Sequence, residues 1–368
     1  MSIAVRAAAG TALAGALMAA ALPTAAADTG GTDTGATHRP RTVRASVAAD
    51  GTQGNAASGG GVISANGRYV AFSSRATNLT PDPNSPFPDT FVKDLRTGTL
   101  TFVRDGLYGL RMSADASCVG FNDYGGHDIQ GIVHDLKTGR RDVLGQSRGG
   151  STLTSLSADC RYAAYTDKPH HPADPRAVYV RDRQTGENIK ASHDATPEQF
   201  DMTDGSISGD GKTIAYQTHR RLGEGPDTYD IVVKNLRTGR LQQIDGSHDA
   251  APASLVQLSG NARSVAYNMG PDAYVRDLRT GRTTRLPGVQ ARALSPDGRR
   301  LLYADAASKL ALRDLRTGRD RAVTAGPASA GQGSLSAHGR SVAFGSGADD
   351  LVPGDTNGFA DVFVRRVR

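Results

Sequence analysis

The sequence predicts an all-β chain, a seven-bladed β-propeller of four-stranded antiparallel blades, closed by an N-terminal strand that completes the last blade. Three observations predict it. A motif of Ser, two residues, then usually Gly and a basic residue recurs at Ser64, Ser113, Ser157, Ser208, Ser259, Ser295 and Ser336, with openings 36 to 51 residues apart. A short apolar run follows each copy, as in Val70-Ala71-Phe72 and Leu301-Leu302-Tyr303. A second turn ends in Gly in six of the copies. A repeated unit of this size cannot bury both faces alone, so its copies must stack, and seven four-stranded copies close radially.

Each element of a unit has a local reason. The opening turn, such as Asp297-Gly298, uses Gly because it accepts positive φ at no steric cost. The next segment is short and apolar on both alternating faces, which marks a strand covered on both sides. The third strand carries a β-branched residue at Val92, Val133, Val180, Val233, Val275 and Val364, with Leu312 the exception. The closing hairpin pairs a carboxylate or amide, which accepts from turn N–H groups, with a left-handed Gly. The pairs are Asp94 with Gly98, Asp135 with Gly139, Asp182 with Gly186, Asn235 with Gly239, Asp277 with Gly281, and Asp314 with Gly318. A last strand follows, such as residues 99–103.

The ends complete the ring. The seventh copy stops at Val364-Arg365-Arg366 without a fourth strand, while residues 42–47 (Thr-Val-Arg-Ala-Ser-Val) read as a fourth strand with no unit of their own. Pairing the two removes a bare sheet edge. The composition agrees: 44 Gly and no Trp suit short strands and tight turns better than helices.

Residues 1–27 read as a signal peptide. Arg6 precedes an apolar Ala-rich stretch, and small residues at Ala25 and Ala27 suit cleavage between Ala27 and Asp28. Residues 28–40 read as a disordered leader, and residues 41–368 as the propeller. The expected location is therefore outside the cell, with no later segment apolar and long enough to span a membrane. Cys118 and Cys160 are the only cysteines. In an exported chain the pair invites a disulfide, and two small buried apolar residues is the other reading.

The opening Ser295-Pro296-Asp297-Gly298-Arg299 with its run to Tyr303, the copy Ser64-Ala65-Asn66-Gly67-Arg68-Tyr69-Val70-Ala71-Phe72, and the hairpin 274–281 (Tyr-Val-Arg-Asp-Leu-Arg-Thr-Gly) resemble the WD-like repeat of the TolB-like propeller family. The resemblance covers about residues 41–368 and implies the fold rather than an activity. That family includes periplasmic translocation proteins and uncharacterised secreted bacterial proteins. The Trp-Asp signature of eukaryotic WD repeats is absent.

In this strand order the first-to-second turns and third-to-fourth hairpins share a short-loop face. The second-to-third loops and the connections between blades share a long-loop face. The short-loop face is basic: Lys93, Arg181, Lys234, Arg276, Arg313 and Arg365 precede the turn, and Arg96, Lys137, Arg237, Arg279 and Arg316 lie within it. The alternatives are attraction to an anionic polymer and a ring of solvated turn tips. The long-loop face carries the variable segments 75–89, 122–128, 167–176, 218–230 and 345–361, where binding concentrates on a rigid scaffold.

Catalytic and metal motifs are weak. Asp355, Asn357 and Asp361 offer oxygens around Gly358, a partial calcium-loop pattern that an Asx-rich turn also explains. Ser192-His193-Asp194 and Ser247-His248-Asp249 are contiguous and cannot form a triad. His170-His171 lacks a spaced third ligand. Residues 205–213 imitate a phosphate loop but lack the spacing and the helix. The expectation is a non-enzymatic, monomeric module without a cofactor, which binds an unknown protein or envelope component through the long-loop face. One alternative is a lyase or hydrolase of an acidic polysaccharide, using His127, His170, His193 and His219 at the channel mouth. The other is polyanion binding by the basic face.

Overall fold

A computed structural model describes residues 42–367, apart from 82–86, 105, 146–148, 169–174, 193–198, 221–227 and 245–251. The expected leader, residues 1–27 and 28–40 with the cleavage site at Ala27 and Asp28, lies outside the described residues. Among the described residues every element is a strand or turn. Six antiparallel sheets have four strands in sequence order, and a seventh has three. Blade 1 is Ser58–Ile63, Tyr69–Ser74, Asp89–Asp94 and Leu100–Val103. Blade 6 is Gln290–Leu294, Arg300–Ala304, Lys309–Asp314 and Asp320–Pro327. The seven-bladed propeller is therefore the observed fold.

Blade 7 is composite. Ser341–Ser346 pairs with Asp361–Arg366, which pairs with Thr42–Arg44 through Val43 opposite Val364. The closing strand is shorter than the expected 42–47, because Ser46 turns its hydroxyl onto Asp361 at 2.6 Å instead of continuing the ladder. The inner strand of this blade is reduced to bridges at Ser329–Gly345 and Leu335–Val342. A turn between them, with Ser334 N donating to Gly331 O at 3.0 Å, takes the chain off the ladder.

The repeated serine is a structural atom. Ser295 is fully buried. Its hydroxyl donates to Asp297 at 2.6 Å and accepts from Arg300 N at 2.9 Å, clamping the opening turn from inside. The turn's fourth residue takes positive φ whether or not it is Gly: Gly298 has φ 69°, but Ala116, Cys160 and Ala262 have 58°, 62° and 55°. In the closing hairpin, Asp94 accepts from Arg96 N at 2.9 Å while Gly98, at φ 77°, donates to Asp94 O at 2.8 Å. The other five closing glycines share that positive φ.

The blades are laced by main-chain hydrogen bonds around the channel on the short-loop face. Ala65 N donates to Ala114 O, Ala114 to Ala158, Ala158 to Gly209, Gly209 to Gly260, and Ala337 to Ala65, all at 2.8–2.9 Å. Asn261 N continues to Pro296 O at 3.0 Å. The step from Pro296 onward has no donor, since proline lacks an N–H. Small residues are needed here: a Cβ on Gly260 would sit 3.2 Å from Pro296 O.

Cys118 and Cys160 are bonded, with Cα atoms 6.2 Å apart. The bridge staples the second strand of blade 2 to the opening turn of blade 3. Lys93, expected on a solvated basic face, is instead buried, and it donates to Val47 O and Ala48 O at 3.0 and 2.8 Å. It ties down the segment that leads from the closing strand into blade 1.

Candidate functional site at the channel mouth

Six inner strands break register at matching places: between Gly59 and Val62, Tyr108 and Arg111, Leu153 and Ser155, Thr203 and Ser206, Leu255 and Gln257, and Ala291 and Ala293. A β-bulge bends its strand and re-aims a side chain, and bulges gather beside active sites. Here the skipped residues include Thr154, Asp204, Val256 and Arg292, and they encircle the channel on the long-loop side. The mouth is a cavity of about 390 Å³ whose lining includes Tyr108, Arg111, Asp204, Arg292 and Gln332.

Its floor is closed. Gln332 of blade 7 reaches across the channel and donates to the hydroxyls of Ser155 and Ser206 at 3.2 and 3.3 Å. Those serines receive Ile207 N and support Leu258 N, so the crossbar is tied to two opposite blades. Below it only a narrow space of about 110 Å³ remains.

Arg111 lies against this floor. Its Nε donates to Thr154 O at 2.7 Å and its Nη1 to Leu110 O at 2.9 Å, which fixes the guanidinium plane. The residue keeps some solvent contact through the channel, but its head sits deep among the channel walls. That desolvation draws its pKa down to about 10, the Asp204 carboxylate opposing the fall, and it stays cationic at neutral pH. Asp204 is exposed and has φ 55°, an unusual conformation for a non-glycine that persists only where the surroundings hold it. Tyr108 is 47% exposed at the rim.

The amides of the mouth serve another purpose. Asn122 accepts from Leu153 N at 2.7 Å and donates to Leu153 O at 3.3 Å. Asn268 makes the same pair of bonds with Ala291, at 2.7 and 3.2 Å. Each side chain imitates a strand partner across a blade boundary, and its polar atoms are thereby used.

Of the four histidines expected at the mouth, His170 and His193 lie outside the described residues. His127 is exposed in a second-to-third loop, and His219 stacks on Tyr229 with ring centres 4.6 Å apart. Neither lines the mouth cavity. Asp355, Asn357 and Asp361 do converge, but around a guanidinium. Arg44 Nη2 is 2.9 Å from Asp355 and its Nε is 3.5 Å from Asp361, while Asn357 Nδ2 donates to Asp361 at 3.0 Å. Sequence reasoning passed over Asp204, Arg111, Arg292 and Gln332. Their one signal is position: they stand two to four places before a repeated serine, where the units share no chemistry.

No family model matches the chain, and no curated protein does. Solved structures do. An oligogalacturonate lyase from Vibrio parahaemolyticus superposes with TM-score 0.61 at 12% identity, covering 89% of this chain and 97% of the lyase. An oligogalacturonate lyase in complex with manganese gives 0.60 at 13%, covering 89% and 96%. TolB from Acinetobacter baumannii gives 0.48 at 16%, covering 70% and 64%. The first two matches overturn the expectation of a non-enzymatic binding module, because the structures matched over nearly their whole length are an enzyme's. At such identities the likeness carries the fold alone.

One of these lyases holds manganese. Among the described residues no group of three His, Cys, Asp or Glu side chains comes together. The mouth offers one carboxylate beside two guanidinium groups, with two of its amides already bonded to main chain. That donor set does not fit a divalent cation.

Proposed function

We propose that this chain is a propeller enzyme that cleaves an acidic oligosaccharide by β-elimination at the long-loop mouth of its channel. The observation that carries the reading is the Arg111 guanidinium, fixed by two main-chain carbonyls, lining the same channel mouth as the Asp204 carboxylate. The oligogalacturonate lyases that share the fold suggest an oligouronate as the substrate.

Elimination from a uronate needs its carboxylate neutralised, so that the proton on the adjacent ring carbon, C5, becomes acidic enough to leave. Arg111 and Arg292 supply that neutralisation through preorganised donors and charge. Asp204 takes the C5 proton as general base. The electron pair forms the C4–C5 double bond as the C4–O bond breaks, and the Tyr108 phenol delivers a proton to the leaving oxygen. Hydrolysis is disfavoured, because a glycosidase uses a pair of carboxylates and Asp204 is the one carboxylate among the described residues that line the mouth. The repeats are read as the TolB-like, WD-like type, and the chain as exported through its leader.

The test is incubation of the full chain with oligogalacturonate and with oligomers of other uronic acids. Absorbance of the unsaturated product is followed against release of reducing ends. Wild type is expected to produce both signals together. Asp204→Asn is expected to lower kcat by at least about 100-fold, the lower end of general-base effects. Reducing ends without unsaturated product would mean hydrolysis, and no cleavage of any uronate oligomer would reject the enzyme reading.

A further inference from the structure

The opposite face holds a larger cavity, about 930 Å³, around the opening turn of the composite blade. Arg299, Arg316, Arg321, Arg340, Arg366 and His338 line it. All six are exposed. Its two carboxylates are already engaged: Asp297 with His338 Nδ1 at 3.0 Å, and Asp314 with Arg300 Nη2 at 3.2 Å. Among the described residues none of the five lining arginines named here forms an ion pair.

The repeat explains why this is unusual. In blade 1 Arg68 pairs with Asp94 at 2.5 Å, and in blade 3 Arg161 pairs with Asp182 at 2.7 Å. The residue after each arginine lies directly opposite that aspartate, Tyr69 opposite Asp94 and Tyr162 opposite Asp182. In blade 7 the same register sets Ser341 opposite Arg366. Arg340 thus occupies the arginine's place, and Arg366 stands where the aspartate belongs. Two like charges share a position at which blades 1 and 3 join opposite ones, an arrangement that repels without a counter-charge. The site also lies at the seam after Pro296, where the ring of main-chain bonds has no donor.

We propose that this cavity binds a phosphate-bearing polyanion that bridges Arg340 and Arg366. Guanidinium forks match phosphate oxygens in pairs, and several arginines suit several phosphates. Among the described residues no Phe, Tyr or Trp lines the cavity to stack on a sugar or a base, and its one imidazole, His338, is held by Asp297; its larger apolar side chains are Leu312 and Val367. Recognition there is by charge. A free oligophosphate and a phosphodiester polymer share that chemistry.

Calorimetric titration of the full chain with tripolyphosphate and with oligomeric glycerol phosphate tests the proposal, with propane-1,2,3-tricarboxylate as the carboxylate comparator. Either phosphate ligand is expected to bind saturably and to raise Tm, and the tighter one identifies the source. Arg366→Asp restores the pair found in blades 1 and 3. It is expected to weaken phosphate binding by at least about tenfold and abolish the ligand's effect on Tm, while Tm without ligand stays equal or rises. Arg340→Ala, which removes the charge without adding a carboxylate, is expected to weaken binding similarly. Arg279→Ala, on the hairpin of blade 5, is expected to leave it unchanged. The proposal is overturned if Arg366→Asp and Arg340→Ala bind as wild type does, if Arg279→Ala costs as much, or if propane-1,2,3-tricarboxylate binds as tightly.

Discussion

Replacing Arg44 with Met tests how the ring is shut. The Arg44 side chain is 7% exposed, and its partners Asp355 and Asp361 are 4% and 0% exposed. The guanidinium contacts are ionic, without aligned hydrogen bonds. Removing one member of a buried pair typically costs 3–5 kcal/mol, because it leaves a buried charge uncompensated. Asp361 would keep its bonds from Ser46 and Asn357, so the deficit falls on Asp355. That puts the expected loss near the lower bound, about 3 kcal/mol, or about 4 °C in Tm for a chain of this size.

The pH dependence has a definite sign. Burial raises the Asp355 pKa above the usual carboxylate value, and Arg44 pulls it back down. Without Arg44 it rises further. A carboxyl whose folded pKa is raised contributes stability that is fully present below its unfolded pKa and lost as pH rises through the folded value. The deficit of Arg44→Met should therefore be full at pH 7 and shrink toward about pH 4.5. Urea unfolding at both pH values measures it, and Arg44→Met/Asp355→Asn should recover most of the loss at pH 7. A deficit below about 1 kcal/mol at pH 7, or one of equal size at both pH values, refutes the reasoning.

Other outcomes follow from the turns and the staple. Ala262→Gly removes a left-handed alanine costing about 1–2 kcal/mol, offset in part by a looser unfolded chain. A net gain of about 0.5–1 kcal/mol in urea unfolding is expected. Cys160→Ser opens a loop spanning 42 residues and is expected to cost about 2–4 kcal/mol, with wild type losing the same amount in reductant. Hydrogen bonds hold Asp94, Asp135, Asp182, Asp277 and Asp314 below the usual carboxylate pKa, the Arg68 and Arg161 side chains dominating at Asp94 and Asp182 and turn N–H groups at the others. Their contribution is present above about pH 4 and lost as pH falls through the depressed folded values, so thermal melts should show Tm dropping steeply below that pH.

The fold was legible because its information is repeated. Seven copies of a buried serine and an apolar run, six of them with a closing turn glycine, report one geometry, and even the missing fourth strand is visible at the ends. The inner strand of blade 7 was not, because the turn after Gly331 replaces its ladder with two bridges. Lys93 was misplaced because its position in the repeat predicts a solvated tip, and only the folded approach of Val47 and Ala48 shows what its ammonium touches. The mouth was hidden for the opposite reason to the fold. Asp204 and Arg292 stand in strands whose register breaks, and Gln332 in the turn that replaces the inner strand of blade 7; a bulge or a turn shifts the face a residue presents without leaving a motif. The histidines drew notice by residue type, whereas Arg111 gains its character from burial.

The closing strand imposes a timetable on the chain. Thr42 finds its partner in Arg365, whose Nε donates to its hydroxyl across a separation of 323 residues. Blades 1 to 6 can each assemble from neighbouring sequence as it emerges, but the start of the propeller has nothing to pair with until Asp361–Arg366 arrives. Until then it waits as an unsatisfied strand beside an unfinished sheet. A chain cut short after Ser346 would lose the last native strand and strand the first one as well. Ring closure therefore acts as a completeness check, written into which two strands are made to meet.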